Sequence, residues 1–162
     1  MEESFIAYIE NSIREYWDLP ALTDYKGATL QYKDVARKIE KLHIIFEESG
    51  IVKGDKIAVC GRNSSHWGVS FLAILAYGAV AVPILHEFKA DNIHNIVNHS
   101  DAKLLFVGDM VWENLNEDNN PVTINKPAIT MLFFIKAVFI AKFTCLRNIL
   151  TFILWLPYIK IV

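Results

Sequence analysis

Residues 50–83 read GIVKGDKIAVCGRNSSHWGVSFLAILAYGAVAVP, and this stretch decides the fold. Residues 55–60 are a short apolar run with a glycine on either side, which predicts a buried strand. Residues 67–77 are apolar almost all round and follow two serines that suit a helix N-cap, which predicts a buried helix. Residues 79–84 form a second apolar run. Two strands without polar–apolar alternation, joined by a helix, indicate a parallel sheet covered on both faces.

The flanking segments extend this unit in both directions. Apolar spacing and turn residues predict helices over 4–17, 32–49, 89–100 and 110–115, a hairpin over 21–32 and a strand over 102–107. The fold class is therefore α/β, a partial doubly wound, mainly parallel sheet flanked by helices, with an N-terminal helix and hairpin and a C-terminal hydrophobic helical tail. A chain of 162 residues is long enough to bury the core that such a sheet needs.

The charge pattern divides the chain in two. No aspartate or glutamate follows Asp118, and five of the 16 lysines and arginines fall after it, so the first 118 residues carry a net charge of −7. We therefore expect a partial subdomain over 1–118 and a hydrophobic, basic tail over 119–162. A net charge of −2 for the whole chain gives no indication of nucleic-acid binding.

Several ordered phrases carry a family resemblance from about residue 4 to about residue 118. GIVKGDKIAVCGRNSSHW, FLAILAYGAVAVPIL and DNIHNIVNHSDAKLLFVGD resemble the N-terminal portion of the adenylate-forming, AMP-binding superfamily. That superfamily includes acyl- and aryl-CoA synthetases, luciferases and peptide-synthetase adenylation domains, and the likeness to bacterial long-chain fatty acid–CoA ligases is strongest. The matching positions are scaffold positions in the family, namely Thr29, Tyr32, Gly78, Ala79, Val82 and Pro83.

The resemblance implies a chemistry that these 162 residues do not complete. Relatives use ATP and magnesium to form an acyl-adenylate from a fatty acid and then pass the acyl group to CoA. Their phosphate loop is a Ser/Thr/Gly-rich run ending in Pro-Lys-Gly, and no such run occurs here. We therefore expect an N-terminal fragment of a ligase that is inactive alone. No catalytic, cofactor-binding or metal-binding residue is assigned, and no cofactor is expected in this chain itself.

The carboxyl ends of the three predicted strands form a plausible ligand rim. In parallel sheets ligands collect at this edge, and the residues there are 61–64, 85–87 and 108–109. The glycine-led loop at 61–65 could offer backbone N–H groups to a phosphate, but it lacks the known phosphate-loop patterns, so a simple serine-capped turn is favoured. His86 beside Glu87 has no accompanying nucleophile, so a structural role is favoured there too.

The other chemically capable side chains also have ordinary interpretations. His94 and His99 are five residues apart, off the spacing of a zinc pair, and are predicted to be surface histidines. The pair His66–Trp67 matches the family's aromatic at a helix start, and packing explains it equally well. Cys60 lies inside a predicted buried strand, which argues against a nucleophile.

The tail has two interpretations. One is a hydrophobic helix that gives membrane association through residues 128–160, although its charge-free core, 148–159, is shorter than the roughly 20 residues of a membrane span. The other, which we favour, is that 119–162 does not belong to the parent fold and arises from a truncated or frameshifted gene. The acidic N-terminus is not a signal peptide, so a cytoplasmic location is expected. A small membrane-anchored or acyl- or nucleotide-binding module without catalysis is the alternative function.

Overall fold

The computed structural model describes residues 4–115, 130–134 and 139–142. Over residues 4–115, helices and strands follow one another in the order that the sequence predicts. The helices are α1 Phe5–Glu15, α2 Tyr32–Glu48, α3 Ser65–Tyr77, α4 Ala90–Ser100 and α5 Asp109–Asn114. The strands are β1 Pro20–Thr23, β2 Thr29–Gln31, β3 Lys56–Cys60, β4 Val80–Ile84, β5 Leu104–Gly108, β6 Thr130–Phe134 and β7 Phe139–Lys142.

The main sheet has the strand order β4-β3-β5-β6-β7, and β1 and β2 form a separate antiparallel hairpin. Strand β3 pairs in parallel with β4 on one side and with β5 on the other, so that Ile57 lies opposite both Ala81 and Leu104. This confirms the predicted parallel β-α-β unit. The connection from β3 to β4 and the connection from β4 to β5 run in opposite directions along the sheet, so their helices α3 and α4 lie on opposite faces.

The prediction of a helical C-terminal tail is wrong for residues 130–134 and 139–142, which form strands. Strand β6 pairs in parallel with β5, and β7 returns antiparallel to β6. The segment 130–142 contains three phenylalanines and two isoleucines, which favour strands. Strand β6 occupies the side of β5 that would otherwise be an unpaired edge. The predicted membrane-associated segment, 128–160, otherwise lies outside the described residues. Within the described part, no helix is long and apolar enough to cross a membrane.

Side chains of β3 and β5 alternate between the two faces of the sheet. One face, which we call the α2–α3 face, buries Ile57, Val59, Leu104 and Phe106 beneath helices α2 and α3. The opposite face, the α4–α5 face, buries Ala58, Cys60, Leu105 and Val107 beneath α4 and α5. Both strands are therefore buried on both sides, as a parallel sheet with helical crossovers requires.

Both ends of α3 form as the sequence predicts. Ser64 is the N-cap, and its side chain accepts a hydrogen bond from the backbone N–H of Trp67. Gly78 ends the helix with φ +81°, a left-handed conformation that glycine adopts without strain. The side chain of Lys53 packs over Gly78, so a Cβ there would lie 3.0 Å from its Cγ.

Candidate functional site

The loops after β3 and β5 meet at the carboxyl end of the sheet. A Cβ added to Gly61 would lie 3.6 Å from the backbone nitrogen of Gly108, and one added to Gly108 would lie 3.4 Å from the Cα of Gly61. Two glycine backbones therefore pack against each other at the point where the chain switches direction across the sheet. This places the predicted rim residues 61–64 and 108–109 side by side.

The third rim segment, residues 85–87, contributes fewer contacts to this edge of the sheet. After β4 the chain makes a tight turn, in which the N–H of Phe88 donates to the carbonyl of Leu85 at 3.2 Å. His86 is half-buried and Glu87 is exposed in this turn. The structure does not bring these two side chains together with residues 61–64 or 108–109 through any hydrogen bond or ion pair within the described ranges.

A carboxylate from the hairpin occupies the N-terminus of α3. The two oxygens of Asp24 accept hydrogen bonds from Ser65, one from its backbone N–H at 2.6 Å and one from its Oγ at 2.8 Å. These bonds hold the pKa of Asp24 below its ordinary value of 3.8, since hydrogen bonding to the ionised form favours it. We call this pair the Asp24–Ser65 contact.

The Asp24–Ser65 contact decides between the two interpretations of the loop at 61–65. The backbone N–H of Ser65 donates to Asp24, and that of Trp67 donates to the Oγ of Ser64 at 3.2 Å. Two of the N–H groups that a phosphate would use are therefore already satisfied by side chains of this chain. The geometry supports the serine-capped turn over a phosphate-binding loop.

Charged groups from several elements surround His66, which is half-buried in the first turn of α3. Burial lowers the pKa of its imidazole below 6.5, and the nearby cation Lys38 on α2 lowers it further. The carboxylates of Asp24 and Asp109 oppose this shift and raise the pKa. His66 is thus favoured in its neutral form, with one cation and two carboxylates acting on it from the hairpin, α2 and α5.

The predictions for the two histidines of α4 have different outcomes. His99 is exposed, as expected, but His94 is only 3% exposed, so its assignment to the surface was wrong. His94 follows Ile93 and precedes Val97 by three residues, and all three lie on the side of α4 that faces the sheet. Its Nδ1 has no hydrogen-bond partner among the described residues.

Cys60 is fully buried at the end of β3, as predicted. Burial raises the pKa of its thiol to about 11, because a low-dielectric surrounding disfavours the thiolate. Its Sγ lies 3.9 Å from the carbonyl oxygen of Leu85. A thiol that stays protonated and inaccessible is a packing group and a poor nucleophile.

The rim therefore carries a capped helix start, a glycine–glycine contact and a neutral histidine among charges. Sequence reasoning placed residues 61–64 and 108–109 there, but missed Asp24 and Lys38, which arrive from the hairpin and from α2. The sequence did contain a signal for the hairpin turn that carries Asp24, because TDYKG at 23–27 has an aspartate three residues before a glycine. These groups can position loops and charges, and they provide no nucleophile.

The mainly parallel α/β sheet has its topological switch point between β3 and β5, where Gly61 and Gly108 meet. The family model described as AMP-binding enzyme matches residues 9–140, which is most of the chain. The chain therefore belongs to the AMP-binding enzyme family. The family resemblance of the sequence is confirmed.

Individual relatives agree with this assignment. The chain is 35% identical over 75 residues to Long chain acyl-CoA synthetase 3 of Arabidopsis thaliana, covering 46% of this chain and 11% of the relative. It is 31% identical over 96 residues to Surfactin synthase subunit 2 of Bacillus subtilis strain 168, covering 59% of this chain and 3% of the relative. The chain thus spans about a tenth or less of the length of either relative.

A solved structure shows the same fold. The benzoate CoA ligase of Burkholderia xenovorans LB400 superposes with a TM-score of 0.70 at 15% identity, covering 82% of this chain and 26% of that one. This likeness shows the fold and confirms the predicted α/β architecture.

Proposed function

We propose that this chain forms the N-terminal part of an ATP-dependent ligase that activates a fatty acid as its adenylate and transfers it to CoA. The match of the family model to residues 9–140 carries the proposal. The preference for a long-chain fatty acid rests on the 35% identity to Long chain acyl-CoA synthetase 3. ATP, magnesium and CoA are the co-substrates that this function requires, and a cytoplasmic location fits a buried free thiol at Cys60.

The role proposed for the described residues is to support the fold of the ligase. The glycine contact between Gly61 and Gly108 and the Asp24–Ser65 contact fix the loops at one edge of the sheet. The groups that hold ATP in such chemistry are preorganised cations and N–H donors around the phosphates. Since no Ser/Thr/Gly-rich run ending in Pro-Lys-Gly occurs in the 162 residues, we propose that they do not adenylate a fatty acid unaided.

A segment exchange tests the positive part of the proposal. Residues 4–115 would replace the corresponding segment of Long chain acyl-CoA synthetase 3, and ATP-dependent thioester formation from a fatty acid and CoA would be measured. We expect activity in this host. The same exchange into the adenylating part of Surfactin synthase subunit 2 serves as the matched control, in which we expect little amino-acid activation. Activity only in the second host would overturn the fatty-acid assignment.

A separate assay tests the negative part. The purified 162-residue polypeptide would be incubated with fatty acid, ATP, magnesium and CoA, and pyrophosphate release would be followed. We expect no release above that of a sample without protein. Enzyme-dependent turnover would show that the chain holds ATP by groups other than the family's phosphate loop. The membrane association expected for 128–160 stays a prediction outside this proposal.

A further inference from the structure

Strand β4 lies at the end of the described sheet, with β3 on one side and no paired strand in the described residues on the other. Its sequence is as apolar as that of β3 and β5, yet it is much more accessible. Val80 and Pro83 are exposed and Ala81 and Val82 are half-buried, whereas four of the five residues of β3 are fully buried. An apolar, accessible edge is the kind of surface to which a further strand adds.

The hydrogen bonds of β4 show which of its backbone groups face outward. The N–H of Val80 donates to the carbonyl of Asp55 at 2.8 Å, which fixes the alternation along the parallel pair. Val80, Val82 and Ile84 therefore direct their backbone groups toward β3. Within β4, the groups of Ala81 and Pro83 face the free edge.

Proline occupies the second of the two outward positions. Pro83 has no N–H, so within β4 the free edge offers a backbone donor only at Ala81. An added strand would meet a carbonyl with no donor beside it, and the pyrrolidine ring would occupy the space of the missing hydrogen bond. Proline at an outward position costs β4 none of its bonds to β3.

We propose that Pro83 keeps β4 the terminal strand of the sheet by preventing a second copy of this chain, or any extended peptide, from pairing with it. The apolar side chains beside the edge make this protection necessary. Val80 is 46% exposed, and Leu85 and Phe88, in the turn that follows, are 60% and 39% exposed. Without the proline, these side chains would flank a continuous row of unpaired donors and acceptors.

Restoring the missing N–H tests the proposal. The full chain and its Pro83→Val variant would be compared by sedimentation velocity over a range of concentrations. We expect the variant to show about a two-fold higher weight-average mass at high concentration, as in a symmetric edge-to-edge dimer. The matched control is the double variant Ala81→Pro/Pro83→Val, which moves the block to the neighbouring outward position and should return the mass to that of the parent chain.

Two outcomes would overturn the proposal. The first is a Pro83→Val variant that sediments like the parent chain, and the second is a double variant that associates as strongly as the single one. Pro83→Ala restores the same N–H with a smaller side chain and is the second variant if Pro83→Val loses its far-ultraviolet circular dichroism. Because the comparison is between variants, association through other surfaces of the chain is common to all of them and does not affect the result.

Discussion

The two faces of the sheet bury different kinds of side chain. On the α2–α3 face, Phe46 contacts the rings of Tyr77 and Phe106 edge-on, with centroids 5.3 and 6.0 Å apart. On the α4–α5 face, the strands contribute the small side chains Ala58 and Cys60. The first face is therefore stabilised by edge-to-face aromatic contacts between its helices and β5. The same two strands, β3 and β5, support both faces.

Both faces of the sheet also bury polar groups. On the α2–α3 side, the Nε2 of His43 donates to the carbonyl of Ala73 at 2.9 Å, and the hydroxyl of Tyr77 donates to the carbonyl of Ile51 at 3.0 Å. On the α4–α5 side, the Nδ1 of His94 has no partner among residues 4–115 and the two described tail strands. The Oγ of Ser70 on α3 also has no partner among the described residues, so each face carries a polar cost. The aromatic contacts are therefore the difference that counts, and we expect them to make the α2–α3 face the stronger half of the core.

The largest expected effect is the loss of stability when a large side chain is removed from either face. Two adjacent residues of β5 allow the two faces to be compared. Phe106 and Leu105 are both fully buried on β5, the first facing α2 and α3 and the second facing α4 and α5. We expect Phe106→Ala to lower the free energy of unfolding by about 3–5 kcal/mol and Leu105→Ala by about 2–5 kcal/mol, because each leaves a cavity. Urea unfolding followed by circular dichroism measures both values.

Two tryptophans allow each face to be followed separately in these variants. Trp67 packs against the α2–α3 core and Trp112 against the α4–α5 core. With the other tryptophans replaced by phenylalanine, each would report unfolding on its own side. If Leu105→Ala costs more than Phe106→Ala, the α2–α3 face is not the stronger half.

The second prediction concerns the polar cost on the α4–α5 face. We expect His94→Leu to raise the free energy of unfolding by about 1–3 kcal/mol. The substitution removes a buried nitrogen without a described partner and replaces the imidazole with an apolar side chain of similar size. His99→Leu, an exposed change on the same helix, is the control and should alter stability by less than about 0.5 kcal/mol. A destabilised His94→Leu variant would mean that the ring has a partner outside the described residues.

Much of the fold could be predicted from the sequence because its local signals agree with the tertiary structure. The apolar runs, the serine before α3 and the glycine after it each specify one element, and the absence of alternation specifies a parallel sheet. The strands β6 and β7 were not predicted. An apolar segment that is long enough for a helix can become a strand where a neighbouring strand offers unpaired backbone groups, and periodicity alone does not separate these cases.

The site was less predictable, because its contacts join residues far apart in the chain. Asp24 and Ser65 are 41 positions apart, and nothing in either segment indicates that the two meet. The burial of His94 likewise depends on how α4 is rotated over the sheet. Ile93, Ile96 and Val97 allow an inward stripe with His94 at its margin, and whether such a margin residue is covered depends on neighbouring elements.

The third prediction tests how the hairpin is attached to the α2–α3 face. We expect Asp24→Ala to lower the free energy of unfolding by about 1 kcal/mol, the usual contribution of a helix cap, and Ser65→Ala to cost less because the backbone bond remains. Since the pKa of Asp24 is lowered, the folded state favours the carboxylate. Its contribution is therefore present above the ordinary pKa of 3.8 and is lost as the pH falls through the pKa of the folded protein.

Urea unfolding at pH 7 and at successively lower pH measures this dependence as the difference between the parent chain and Asp24→Ala. The difference should shrink toward zero as the carboxylate is protonated. A difference that does not change with pH would assign the effect of the substitution to packing of the hairpin and not to the charged cap.

The smallest expected effect is a change in the pKa of His66, which follows Ser65 in the chain and lies beside the Asp24–Ser65 contact. We expect His66 to titrate below 6.5 in the folded chain, and Asp24→Asn to lower its pKa further by removing a carboxylate that raises it. Two-dimensional NMR of the imidazole resonances measures both values. Since the unfolded chain binds this proton more tightly, the stability contributed by neutral His66 is present above pH 6.5 and declines as the pH falls toward the pKa of the folded state. An unchanged His66 pKa in Asp24→Asn would separate the histidine from the Asp24–Ser65 contact and leave burial, Lys38 and Asp109 as the influences on that pKa.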